Sequence, residues 1–236
     1  MIVIGLTGSI AMGKSTVGAM MQNLGIPVHE SDHAVHELLG LESPARPAFA
    51  SEFPPYEFPQ LYDRKTKEIN RKELGAIVFN DAEKRKALEN ILHPFVHQKQ
   101  DQFIRQHISK GRKIVCLDIP LLFETGADKR VDYTFVASAP YHVQQQRALS
   151  RPNMSEEKLQ AILERQMPDK EKCQRADYVI KTGLGRAHSM KELKLALLDI
   201  KRKTASSLLR KMKTRALIQP LFPLNLNCFS YIIRQT

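Results

Sequence analysis

The chain has 236 residues, 42% of them hydrophobic and 26% charged, a balance that excludes a disordered, collagen-like or membrane-embedded protein and allows one large or two modest domains. Its three cysteines, Cys116, Cys173 and Cys228, have neither CxxC nor Cys/His ligand spacing, so the expectation is a reducing, cytoplasmic setting without disulfide or zinc staples. The net charge of +11 is uneven: eight basic residues and no acid follow residue 200, which leaves +3 for residues 1–200.

In chain order, Ile2–Leu6 is a short apolar, β-branched run that ends in glycine and reads as a buried strand. From Lys14 the apolar residues Val17, Met20, Met21 and Leu24 recur at helical spacing, with Gly25 at the expected stop. Ile26–His29 reads as a second strand, and Ser31 or Asp32 as the cap of a helix carrying Val35, Leu38 and Leu39. Five prolines between Pro44 and Pro59 argue against a persistent helix or central strand and mark an insertion. Helical patterns resume at Arg71–Phe79, at Asp81–Leu92 and again after Pro94, giving a small helical lobe. Lys113–Asp118 and Tyr133–Ala137 read as buried strands. Tyr141–Leu149 and Ser155–Met167 read as helices, the second capped by Ser155, with the basic turn Arg147–Asn153 between them. Tyr178–Ile180 is the last short strand and Met190–Leu198 a closing helix.

The basic tail, with Lys201, Arg202, Lys203, Arg210, Lys211, Lys213, Arg215 and Arg234, is either a solvated extension or a contact for RNA or anionic membrane. No nucleic-acid partner is expected for residues 1–200. No secretory signal opens the chain, and Ala216–Ile233 is too interrupted by Gln219, Pro220, Pro223, Asn225 and Asn227 to span a bilayer.

Gly8-Ser9-Ile10-Ala11-Met12-Gly13-Lys14-Ser15 fits G-x-x-x-x-G-K-[ST] between the strand and helix that this motif requires. Several backbone N–H groups must approach a phosphate chain together, and a β-carbon at the tight positions, Gly8 and Gly13, would obstruct them. Lys14 then reaches the terminal phosphates, the Ser15 hydroxyl suits Mg²⁺, and Thr16 lies near the α-phosphate. The pattern specifies a nucleotide, not a reaction.

Acids and arginines must choose the reaction. Asp118 ends an apolar strand, where it either ligates Mg²⁺ or caps a turn. Asp32 follows the second strand at the carboxyl edge of the sheet, where it serves either as general base toward an attacking hydroxyl or as a plain N-cap. Arg147 and Arg151 are spaced i, i+4 and Arg165 falls on the next predicted helix, so this hairpin reads as an arginine-bearing lid or as solvated surface. His29, His33 and His36 lack the helix-face coherence with acidic partners that a metal site requires.

With these motifs in view the chain resembles the dephospho-coenzyme A kinase family from about residue 2 to about 200. The resemblance is carried by Ile4-Gly5-Leu6-Thr7-Gly8 with Gly13-Lys14-Ser15-Thr16, by Asn70–Leu74 through Ile77-Val78-Phe79, and by Ile91-Leu92-His93-Pro94. Asp118-Ile119-Pro120-Leu121-Leu122-Phe123-Glu124 and Arg165-Gln166-Met167-Pro168 to Arg175–Ile180 complete it. It implies an α/β P-loop core with a helical CoA-binding insertion and a helical lid. It further implies transfer of the ATP γ-phosphate, with Mg²⁺, to the 3′-hydroxyl of dephospho-CoA.

On that mapping the core is residues 1–40, 109–146 and 173–200, the acceptor lobe 41–108 and the lid 147–172, with a tail of unknown role at 201–236. Asp32, Lys14 and Arg147 carry catalysis. Gly8, Ala11, Met12, Gly13, Lys14, Ser15, Thr16, Arg147 and Arg151 bind ATP, Asp32, Arg71 and His93 face the acceptor, and Ser15 and Asp118 hold the metal. The chain departs from the family at Ser9, Ala11 and Met12, where its loop is poorer in glycine, and at Glu30, where an aspartate is common. The remaining alternatives are another P-loop nucleoside or nucleotide kinase and a nucleic-acid-binding ATPase.

Overall fold

The computed structural model describes residues 1–218; Cys228, Arg234 and most of the Ala216–Ile233 stretch lie outside the described residues. Contacts divide the chain into a unit at Met1–Leu193 and a second at Lys194–Thr236.

The first unit is built on five parallel strands, β1 (Ile2–Thr7), β2 (Val28–Glu30), β3 (Ile114–Asp118), β4 (Tyr133–Ser138) and β5 (Tyr178–Lys181), in the order β2-β3-β1-β4-β5. Strands covered on both faces are near-continuously apolar, and β3 is buried at all five positions. Leu6 and Glu30 both lie in register with Asp118, and Thr7 with Val136. β1 is therefore central, flanked by β3 and β4; the chain runs from β1 to β2 on one side and later crosses from β3 past β1 to β4 on the other. Such a reversal of strand order opens a crevice at the carboxyl edge, which is where open α/β folds bind ligands.

Helix α1 (Lys14–Asn23) leads from β1 toward β2, and α2 (Ser31–Leu38) follows β2 directly. No side-chain cap opens α2: Glu30 stands at the cap position, and Ser31 and Asp32 are its first two residues. The Ser31 hydroxyl instead accepts a hydrogen bond from Gln100 Nε2 at 3.0 Å, with both residues buried.

The proline-rich stretch does hold a helix, α3 (Arg46–Glu52), with Pro47 in its first turn. There the missing N–H has no intrahelical partner to lose. Helix α4 (Arg71–Asn80) is capped by the Asn70 side chain, which accepts from the amides of Lys72 and Glu73. The two helices expected around Pro94 are one, α5 (Ala82–Ser109), with the proline inside it. Pro94 and Asn90, whose carbonyl loses its partner, are both exposed, which leaves that oxygen on the solvent side of the helix. Leu92 and Val96 meanwhile anchor both sides of the proline in a core with Phe49, Phe53, Leu61 and Leu74. This second core makes residues 41–108 more than a long loop.

Helices α6 (Tyr141–Leu149), α7 (Glu156–Leu163) and α8 (Asp169–Arg175) complete the layers before β5. α7 is capped by Ser155, as expected, but stops at Leu163, so Arg165 lies in the turn beyond it rather than on a helix. α8 was not anticipated. Helix α9 (Arg186–Ile218) starts before the expected Met190 and continues past residue 200, where the tail boundary was drawn. In the second unit Lys203 pairs with Asp199 at 2.8 Å, one turn apart.

Phe53 is fully buried, stacked on Phe49 at 4.9 Å and edge-on to Phe58 at 5.6 Å. Phe53→Ala is expected to cost about 3–5 kcal/mol, measured by urea denaturation; a loss below about 1 kcal/mol would show that this second core does not hold the lobe.

Candidate active site

The phosphate loop owes its shape to close approaches that sequence spacing alone does not reveal. A β-carbon on Gly8 would lie 2.7 Å from the Ala137 carbonyl oxygen of β4, a rigid neighbour. Gly13 has φ +87°, and a β-carbon there would meet Thr182 Oγ1 at 2.9 Å. The Thr182 hydroxyl, just after β5, donates to the Met12 carbonyl at 2.6 Å. Ala11 also adopts a left-handed conformation, φ +60°, which costs a residue with a β-carbon roughly 1–2 kcal/mol. Its methyl is buried with Ala148 and Leu159 of the α6–α7 hairpin, and that burial offsets part of the cost.

The loop walls a cleft of about 570 Å³ lined by residues Gly8 to Thr16, Asp32, Arg147, Arg151, Gln166, Thr182 and Arg186, among others. Residues separated by more than a hundred positions meet here because β1 lies between β3 and β4. Ser15 is exposed on the first turn of α1. Asp32, also exposed, stands in the first turn of α2 and faces this cleft.

Lys14 forms an ion pair with Asp118, the last residue of β3, and both side chains are largely buried. Burial pushes the Asp118 carboxyl above its ordinary value, Lys14 opposes that shift, and the nearby carboxylates of Asp32 and Glu30 reinforce it. Asp118 thus sits behind the cleft wall, held by the lysine, in surroundings that favour a further cation. Among the described residues no three His, Cys, Asp or Glu side chains converge into a metal cage. A hydroxyl and a carboxylate beside a polyphosphate suit Mg²⁺, which binds proteins through one or two oxygens and its substrate's phosphates.

Arg147, in the last turn of α6, donates to Thr182 Oγ1 at 3.1 Å and to the Thr182 carbonyl at 2.8 Å. Arg151 lies two residues past the end of α6 but lines the same cleft. Arg71 and His93 are not part of its wall. Arg71 opens α4 as an exposed residue, and the half-buried His93 ring stacks on His97 at 6.2 Å.

Three polar residues escaped sequence reasoning. Thr182 is buried and joins Arg147 to the loop. Gln166, which belongs to the Arg165–Pro168 segment of the resemblance but has no role assigned there, enters the cleft wall. Gln100 is buried and donates to Ser31 while accepting from Arg130 Nη1 at 3.1 Å, which ties the start of α2 to α5. The one available signal was a glutamine at an otherwise apolar helical position, since a buried amide must find partners for both of its functions.

A five-stranded parallel sheet with a phosphate loop after β1, an acid after β2 and an arginine hairpin after β4 defines a P-loop kinase. The family model for dephospho-CoA kinase (CoaE) matches residues 2–185. The chain is 49% identical over 185 residues to the dephospho-CoA kinase of Mesorhizobium japonicum, covering 78% of this chain and 89% of that one. It is 47% identical over 182 residues to that of Novosphingobium aromaticivorans, covering 77% and 86%.

Among solved structures, the dephospho-CoA kinase from Campylobacter jejuni superposes with a TM-score of 0.61 at 31% identity, over 86% of this chain and 98% of that one. A Thermus thermophilus structure gives 0.69 at 32% identity, over 84% and 96%. The chain belongs to the dephospho-CoA kinase family, whose members are ATP-dependent phosphotransferases. Among the described residues no helix is long and apolar enough to cross a membrane.

Gly8→Ala is expected to lower Tm by roughly 5–10 °C and to weaken ATP binding, because the Ala137 carbonyl it strikes belongs to a central strand. Thermal melts with and without ATP check this, and an unchanged Tm would refute the close approach.

Proposed function

We propose that the cleft transfers the γ-phosphoryl group of ATP to the ribose 3′-hydroxyl of dephospho-CoA, with Asp32 as general base. The observation that carries this reading is that Asp32 and the phosphate loop wall one cavity. A carboxylate in that position accepts the proton of the attacking hydroxyl, while positioning and charge compensation supply the rest of the rate.

The backbone amides of Ala11, Gly13, Lys14 and Ser15, in the loop and at the start of α1, receive the phosphates together with the Lys14 ammonium. In leaving Asp118 for a phosphate, Lys14 exchanges one anion for another and remains compensated. Ser15 and Asp118 are the oxygens that would hold Mg²⁺. A Mg²⁺ ion held by them would supply positive charge against the phosphates. Arg147 and Arg151 add positive charge from the hairpin side of the cleft.

In this reading residues 41–108 are the acceptor lobe, with Arg71 and His93 turned to the substrate, and residues 147–172 are the lid over the core segments. The tail at 201–236 has no assigned role, and the setting is the cytoplasm, where CoA synthesis takes place.

A coupled ADP-release assay tests the function: dephospho-CoA is the expected acceptor, and turnover with adenosine or AMP alone would overturn the assignment. Asp32→Asn is expected to lower kcat about 10²- to 10⁴-fold with ATP binding retained, whereas normal turnover would remove Asp32 from the base role. Asp118→Asn is expected to raise the Mg²⁺ concentration needed for half-maximal rate by at least about tenfold. In the parent enzyme the same requirement should rise as pH falls, with a midpoint above the ordinary 3.8 of an aspartate because protonation removes the metal-binding charge. A requirement that stays flat on acidification would exclude Asp118 as a ligand.

A further inference from the structure

The phosphate loop is gripped at its apex by the hairpin that flanks it. The Ile10 amide donates to Gln166 Oε1 at 3.1 Å, and the Ile10 carbonyl accepts from Gln144 Nε2 at 2.9 Å. The donor and acceptor required by Ile10 fix the orientation of both side-chain amides. Gln144 lies on α6 and is buried; Gln166 lies in the turn after α7, half-buried, at the cleft wall. The two glutamines reach one loop residue from the two ends of the hairpin. Between them the Ala11 methyl packs on Ala148 and Leu159, with Ile10, Met154 and Leu163 at the margin.

These contacts constrain what the loop can do. With its N–H and C=O both engaged, Ile10 has little freedom to rotate, and its orientation sets that of the next amides, from Ala11 onward. A glycine-rich loop reaches the same geometry by permissive backbone. Here Ile10 and Ala11 carry side chains, Ala11 is left-handed, and the neighbouring hairpin supplies the restraint.

We propose that Gln166 is a positioning residue for ATP, acting with Gln144 through the Ile10 peptide units to hold the phosphate loop open to the nucleotide and locked to the hairpin. The inference rests on the reading that this cleft binds ATP. It concerns binding rather than proton transfer, so ATP affinity should suffer while the acceptor's does not. Because both glutamines hold one residue, losing the second after the first should add little.

Equilibrium titration with ATP and steady-state kinetics on the full chain test this. Gln166→Ala is expected to raise both Kd and KM for ATP about tenfold, with KM for dephospho-CoA within about twofold and Tm unchanged. Gln144→Leu should act on the same parameter, and the double variant should stay within about threefold of the worse single variant rather than reach the roughly hundredfold expected of independent sites. An ATP Kd within about twofold of the parent in Gln166→Ala overturns the proposal, as does multiplicative loss in the double variant. If Gln144→Leu fails to fold, the Gln166→Ala result decides alone. Lys14→Ala separates the two failures: normal ATP affinity in that variant refutes ATP binding in this cleft, whereas a crippled Lys14→Ala beside an ordinary Gln166→Ala refutes only the role of Gln166.

Discussion

The ion pair between Lys14 and Asp118 is the constraint around which the active site is arranged. It joins the first residue of α1 to the last residue of β3, with both side chains mostly out of solvent. A buried pair of this kind gains little net stability over an apolar pair, yet removing one partner alone costs about 3–5 kcal/mol because the other charge is left unpaired. Its value lies in preorganisation. The ammonium is held at the carboxyl edge of the sheet before any phosphate arrives, and the carboxylate cannot collapse onto another partner. Glu30 and Asp32 reinforce this by raising the cost of ionising Asp118, so the site is short of positive charge.

Most of the sheet was readable because each strand is a short apolar run closed by turn residues, a signal that does not depend on the rest of the chain. The arrangement of those strands was not readable from periodicity. Whether Asp32, Thr182 and the phosphate loop would share a cleft follows from β1 lying between β3 and β4, a global property that no local pattern in the sequence carries. Prolines misled in both directions. In sequence Pro94 marks a helix end, yet its face is exposed and the Asn90 carbonyl it orphans can turn to water. The cluster at Pro44–Pro59 argues against a helix, yet Pro47 falls in the first turn, where its missing amide is harmless.

Polar residues doing interior duty were the least legible. α8 went unnoticed because its sequence, Asp169–Arg175, has no apolar stripe. The residue that fills the buried position is Lys172, fully enclosed and paired with Glu124 at 2.8 Å. Gln100 is similar, since its two amide functions join Ser31 to Arg130 across elements far apart in sequence. A search for amphipathic periodicity treats such residues as solvent-facing. Only the three-dimensional partner reveals that the charge is paired or the amide hydrogen-bonded, which is the condition for tolerating it in the interior.

Glu124 shows how such a buried charge reaches the cleft. The same Oε1 that pairs with Lys172 accepts a hydrogen bond from the Met167 amide at 2.9 Å. Met167 follows Gln166 directly, so the turn that presents Gln166 to the phosphate loop is fixed from behind by a carboxylate. That carboxylate is in turn fixed by a lysine from α8. Replacing this chain with apolar contacts would pack the interior equally well, but apolar contacts have no direction, and a peptide hydrogen bond to a charged oxygen does. The Pro-Leu-Leu-Phe-Glu segment therefore ends in an acid for a structural reason. Of the residues before it, Leu122 packs with Leu117 and Ile119 in the core and Pro120 lines the cleft, while Glu124 fixes the turn that carries Gln166.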